Sequence, residues 1–158
     1  GTYLFALNES SQKFLLINKI DIPQKTSEFA INASYKRFWD QATLKYVNNC
    51  QLGEDGVRKK NFGMRWVGSL VADASRILIR GGVFLYPADN REKYSEGRLR
   101  LTYEANPIAY LVEQANGMAT NGTEKILNLD VQKIHQRTAL IFGSKEEVVE
   151  FKNSFDNP

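Results

Sequence analysis

The chain has 158 residues, 42% of them hydrophobic and 25% charged, with a net charge of +3 and a pI near 9.0; this is the composition of one globular domain, too mildly basic to imply nucleic acid by itself. No run of about 18 apolar residues is present to cross a bilayer, and no zinc-finger or RNP-like pattern occurs, so neither a membrane nor a nucleic acid is expected as partner. A single cysteine, Cys50, and a single histidine, His135, exclude an intrachain disulfide and a Cys/His zinc site, and point to a cytoplasmic protein.

Residues 3–7 and 13–17 alternate around a polar turn and predict a β-hairpin. The segment 21–25 contains Pro23 and breaks the pattern, and Phe29-Ala30-Ile31 reads as a short buried strand leading to Asn32. Phe38, Ala42, Tyr46 and Val47 share a helical face, so a helix is predicted over 38–49, followed by a polar, glycine-containing loop over 50–63 that carries Cys50 and a solvated basic run, Arg58-Lys59-Lys60. Leu70, Ala74, Ile77 and Leu78 then mark a helix over 70–80 that Gly81-Gly82 stops. Strands are predicted over 83–86, ended by Pro87, and over 98–103, with Glu104 at or just past the second. Asn106-Pro107 has the form of an N-cap and first helical residue, for a helix closing at Asn116-Gly117. A strand over 138–143 and a capping-box spacing, Ser144 to Glu147, lead to a last helix reaching Phe151. Strands alternating with helices predict an α/β fold, a layered α/β/α domain on a mixed β-sheet preceded by the hairpin. Residues 1–31 read as a strand pair and linker from the end of a preceding domain, and residues 32–158 as the α/β domain proper.

In such folds ligands gather at the C-terminal ends of strands. Asn32, Tyr35, Arg65, Tyr86, Arg98 and Arg100 are phosphate-binding residue types near predicted element ends, although any one of these arginines taken singly reads better as a solvent-exposed charge. From spacing, Glu104 is a metal ligand, a general base or a carboxylate favouring a helix N-terminus. Glu92, Glu96 and Glu113 do not obviously converge with it into a metal cluster. His135, five residues after Asp130, is a general base or a hydrogen-bonded structural histidine; Cys50 has no histidine near it in sequence to activate it. Asn-x-Ser/Thr triplets start at Asn8, Asn32 and Asn121, but the motif is short.

Three runs, Arg65-Trp66-Val67-Gly68-Ser69-Leu70-Val71-Ala72-Asp73, Gly81-Gly82-Val83-Phe84-Leu85-Tyr86-Pro87 and Leu99-Arg100-Leu101-Thr102-Tyr103-Glu104-Ala105-Asn106-Pro107, closely resemble consecutive blocks of class I fructose-1,6-bisphosphatases. Gln114-Ala115-Asn116-Gly117-Met118-Ala119 and Ile134-His135-Gln136-Arg137 resemble the blocks that follow. The resemblance is to the C-terminal half only. It implies hydrolysis of the sugar 1-phosphate by a water activated by Mg²⁺, with this half holding the 6-phosphate. Asn32, Tyr35 and Tyr86 match phosphate contacts, Arg65 matches an arginine that reaches a neighbouring subunit's site, and Glu104 matches the one metal ligand of this half. Trp66 stands where the family has tyrosine, Arg98 where it has lysine, and Ala33-Ser34 where it has Glu-Gly; Trp66 and Arg98 remain candidate contacts. The family's other metal ligands lie in a half absent from this chain, so the chain alone is expected to be inactive and its parent to be a homotetramer. A non-catalytic sugar-phosphate-binding or oligomerisation module, or a fragment of a sedoheptulose-1,7-bisphosphatase, are the alternatives.

Overall fold

The computed structural model describes residues 1–156; Asn157 and Pro158, the last positions of the expected 32–158 domain, lie outside it. The chain opens with the hairpin, β1 (Thr2–Asn8) and β2 (Lys13–Ile20), antiparallel with a bulge between Leu4 and Phe5. There follow β3 (Glu28–Ile31), α1 (Gln41–Leu52), β4 (Gly63–Met64), α2 (Leu70–Arg80), β5 (Val83–Tyr86), β6 (Leu99–Arg100), α3 (Asn106–Gln114), β7 (Met118–Thr120), β8 (Arg137–Thr138), β9 (Leu140–Gly143) and α4 (Lys145–Asp156). Five strands form one mixed sheet in the order β4-β3-β5-β9-β7; β3 is parallel to β4 and β5, and β9 is antiparallel to β5 and β7. β6 and β8 pair separately.

The period of two along each strand sorts the core into two layers. Phe29 and Ile31 of β3, Val83 and Leu85 of β5 and Ile141 of β9 pack with Tyr46, Val47 and Cys50 of α1 and Val148 and Phe151 of α4. Ala30, Phe84, Leu140 and Phe142 point to the other face, against Ala74 and Ile77 of α2 and Ala109 and Val112 of α3. Helices therefore cover both faces, as an α/β/α domain requires. The hairpin is tied to the end of α3: Thr2 Oγ1 donates to the Leu111 carbonyl at 2.7 Å and the Ile22 amide to the Ala115 carbonyl at 2.8 Å.

Several local expectations are corrected. α1 starts later than predicted, because the Asp40 carboxylate accepts from the Thr43 amide at 2.7 Å and caps it, and it runs on to Leu52. Cys50 is thereby buried in the core rather than exposed in a loop. Arg58 is not solvated: it forms an ion pair with Glu147 at 2.7 Å, and Lys60 donates to the Thr26 carbonyl. The strand predicted over 98–103 ends at Arg100; residues 101–105 form a π-helical turn that continues into α3. Asn106 is consequently helical rather than a cap. Ser144 and Glu147 make no capping box, since the Ser144 hydroxyl accepts from the Gly82 amide at 3.1 Å and the Glu147 carboxylate turns to Tyr46 and Arg58. β7 was not predicted at all, being only three residues long.

Candidate functional site

Parallel β3 and β5 end side by side, Ile31 beside Leu85, so Asn32 and Tyr86 emerge together at the C-terminal edge of the sheet. Asn32 caps a 3₁₀ turn over Ala33–Phe38: its Oδ1 accepts from the Ser34 amide at 3.1 Å and from the Ser34 hydroxyl at 2.6 Å. With Oδ1 committed, its Nδ2 is the atom left to donate to a ligand. The turn carries Tyr35 into the same place. Arg98 arrives from the opposite side. Gly97 has φ +104, and a Cβ there would stand 2.1 Å from the Ala139 nitrogen, so only glycine lets the backbone press on 138–139 and aim Arg98 inward. The Arg98 guanidinium carbon lies 4.1 Å from the Tyr35 ring centre, 3.8 Å from that of Tyr94 and 5.7 Å from that of Tyr86. Arg98, whose side chain is 13% exposed, encloses with Asn32, Tyr35 and Tyr86 a space of only about 10 Å³, whose lining Ile31, Trp39, Pro87 and Asp89 complete.

Sequence reasoning missed three residues here, Asp89, Arg91 and Tyr94. The Asp89 carboxylate, 4% exposed, bridges both arginines: Oδ1 accepts from Arg91 Nε at 3.0 Å, and Oδ2 accepts from Arg91 Nη2 at 2.5 Å and from Arg98 Nη2 at 3.4 Å. Burial pushes the Asp89 carboxyl up, but the hydrogen bonds and charge of Arg91, with a bond from Arg98, more than offset this and hold it below the ordinary value. The Arg91 guanidinium lies over the rings of Phe38, Tyr35 and Tyr94 at 4.0, 4.9 and 4.8 Å. The only local signal was an Asp two residues before an Arg, the spacing of the turn in which the Arg91 amide donates to Asp89 Oδ1 at 3.1 Å.

The other predicted residues lie elsewhere. Trp66 stacks on Phe84 at 5.5 Å and meets Tyr86 edge-on at 5.8 Å, which makes it a wall behind Tyr86. Arg65 is 58% exposed and turns back along β3 to Glu28, 3.6 Å away, so it does not line the cleft. Glu104 faces Arg100: its Oε2 accepts from the Arg100 amide at 2.7 Å and stands 3.5 Å from the guanidinium. That leaves Oε1 as the oxygen a cation could use. Among the described residues no three His, Cys, Asp or Glu side chains converge to hold a metal. His135 is exposed and its Nδ1 lies 3.0 Å from the Tyr103 hydroxyl, with no Asp130 carboxylate contact. A wider groove of about 460 Å³, lined by Ser95, Glu96, Asn121, Lys133 and Arg137 among others, holds none of the predicted residues.

The family model for the fructose-1,6-bisphosphatase C-terminal domain matches residues 22–156. A protein of Azorhizobium caulinodans named fructose-1,6-bisphosphatase class 1 is 54% identical over 149 residues, which cover 94% of this chain and 45% of that protein. Proteins of Methylibium petroleiphilum and Rhodopseudomonas palustris, also named as class 1 fructose-1,6-bisphosphatases, are 51% and 50% identical over the same share of this chain and cover 42% and 43% of their own lengths. The chain thus spans less than half the length of these relatives. It belongs to the fructose-1,6-bisphosphatase family and corresponds to that family's C-terminal domain.

Proposed function

We propose that this chain is the phosphate-anchoring half of a Mg²⁺-dependent fructose-1,6-bisphosphatase, holding the 6-phosphate while the 1-phosphate is hydrolysed. The observation that carries this reading is the meeting of Asn32, Tyr35, Tyr86 and Arg98 at the joint C-terminal end of β3 and β5, where one fixed cation and several hydrogen-bond donors face one small space. A phosphate at the mouth of that cleft meets Arg98, Asn32 Nδ2 and the tyrosine hydroxyls, and is fixed by position rather than by reaction. Trp66 keeps Tyr86 in place by edge contact. Arg65, apart from the cleft and exposed, is suited to reach the site of another subunit in a homotetramer. Glu104 would supply one oxygen to the metal. Bound magnesium would activate water and neutralise charge on the scissile phosphate.

The hairpin fits the end of a preceding domain, the half that supplies the remaining metal ligands. In-line attack on phosphorus needs cations at both the attacking and the leaving oxygens, and one carboxylate would not hold them, so this chain alone has no means of catalysis. Phosphate release from fructose-1,6-bisphosphate with Mg²⁺ tests the division. The chain joined to its preceding half turns over, and the chain alone does not. Turnover by the isolated chain would refute the division, and a full-length protein that hydrolyses only sedoheptulose-1,7-bisphosphate would transfer the assignment to that substrate.

A further inference from the structure

Arg98 is the cation of the proposed anchor, yet an arginine is a harder group to aim than an ammonium. Its planar fork donates only in its own plane, and the long side chain loses much rotamer freedom when fixed. Two things hold it here. The rings of Tyr35 and Tyr94 lie against the guanidinium, and the Asp89 carboxylate stands at its edge. The Asp89–Arg98 contact is long, 3.4 Å, because Asp89 already takes both side-chain bonds and the amide of Arg91 at 2.5 to 3.1 Å. Arg91 is in turn fixed over Phe38, Tyr35 and Tyr94. The carboxylate is therefore close enough to orient Arg98 and too engaged with Arg91 to neutralise it. Its negative charge also separates two guanidinium groups that share the faces of Tyr35 and Tyr94 and would otherwise repel.

We propose that Asp89 and Arg91 act together as positioning residues for the phosphate anchor, Asp89 orienting the Arg98 fork and Arg91 restraining Asp89 so that Arg98 keeps donors free for a sugar phosphate. This rests on the anchor reading of the cleft. Loss of either partner damages the anchor by a different route. Without the Asp89 charge, Arg98 loses its orienting acceptor and faces Arg91 unscreened. Without Arg91, Asp89 is free to close on Arg98 and compete with the phosphate. Both routes weaken binding of the part of the substrate that does not react, which is seen in KM more than in kcat.

The test uses the full-length enzyme and fructose-1,6-bisphosphate. D89N, which keeps the shape and removes the charge, should raise KM about ten-fold and lower kcat less than about two-fold, the loss of one charge-assisted contact. R91Q should raise KM in the same direction, and the D89N/R91Q double variant should raise it by less than the product of the two, because the residues act as one unit. Restoration of KM by D89E supports positioning over a general structural role. Thermal unfolding of each variant checks that it folds; if D89N does not, R91Q with D89E carries the test. An unchanged or lowered KM in folded D89N or R91Q overturns the proposal. If R98A raises KM while D89N and R91Q do not, the positioning idea fails and the anchor stands; if R98A leaves KM unchanged, the anchor reading fails and this proposal falls with it.

Discussion

The behaviour of single side chains here follows from what their neighbours leave unsatisfied. Asn8, Asn32 and Asn121, which begin the three Asn-x-Ser/Thr triplets, all turn their side-chain oxygens onto nearby amides, of Ser11, Ser34 and Thr123. The triplets are thus accounted for as turn caps. Cys50 shows the opposite case, a reactive atom type made inert. Burial is the main cause that pushes its thiol up to about 11, while a hydrogen bond with Tyr46 and the charge of Arg58 offset part of the rise. The thiolate is the nucleophile, so alkylation by iodoacetamide at pH 8 should be at least about a hundred-fold slower in the folded chain than in urea. The rate should climb as pH rises toward the thiol's own value. Alkylation of the native protein at the unfolded rate would show that Cys50 is not in the core.

Among the elements, the stretch 53–62 gives the clearest case of a loop fixed by charge rather than by apolar packing. Arg58 Nη2 reaches both Glu147 oxygens, at 2.7 and 2.8 Å, and the Tyr46 hydroxyl donates to Oε2 at 2.9 Å, so one carboxylate joins α4, α1 and the loop between α1 and β4. Glu147 is 6% exposed. Glu147→Gln leaves Arg58 half-buried without its counter-charge and should cost about 3 kcal/mol of folding stability. Urea unfolding measures it, and a loss below about 1 kcal/mol would mean the pair is no more than a surface ion pair. This clamp was illegible in the sequence for a physical reason: its members are 89 and 101 residues apart, and a basic run in a polar segment has the same composition whether or not it finds a carboxylate. Legible were the elements with strong local signals, α2 from its apolar spacing and Gly81-Gly82, β5 from its apolar run and Pro87. The joint between β6 and α3 was not, because Pro107 reads as a helix start although the preceding turn is already helical. In the cleft, Asn32, Tyr35, Tyr86 and Arg98 were named from residue type and resemblance, whereas Asp89, Arg91 and Tyr94 belong to it only through contacts that the chain order does not display.

At the scale of the molecule, the α/β/α layers satisfy themselves and the hairpin does not. Val83, Leu85, Ile141 and Phe142 are buried, but Phe5, Leu7, Leu15, Leu16 and Ile17 are all exposed, and Phe14 is 72% exposed. Consecutive apolar residues at 14–17 point to both faces of the hairpin, the pattern of a strand covered on both sides. A two-stranded sheet is marginal by itself, and a patch of this kind marks an interaction surface. On the proposed division that cover is the preceding half, whose sheet the hairpin would extend. The isolated chain should therefore bind a hydrophobic dye such as anilinonaphthalene sulfonate, and the preceding half added in trans should lower the signal as a one-to-one complex forms. Phe14→Asp should weaken that complex at least about ten-fold, since it sets a charge where about 2 kcal/mol of apolar burial is expected. It should leave the melting temperature of this chain nearly unchanged, because Phe14 belongs to neither core layer. A complex that forms equally well with Phe14→Asp would mean that the two halves meet elsewhere, and that the hairpin belongs to the α/β domain it is tied to through Leu111 and Ala115.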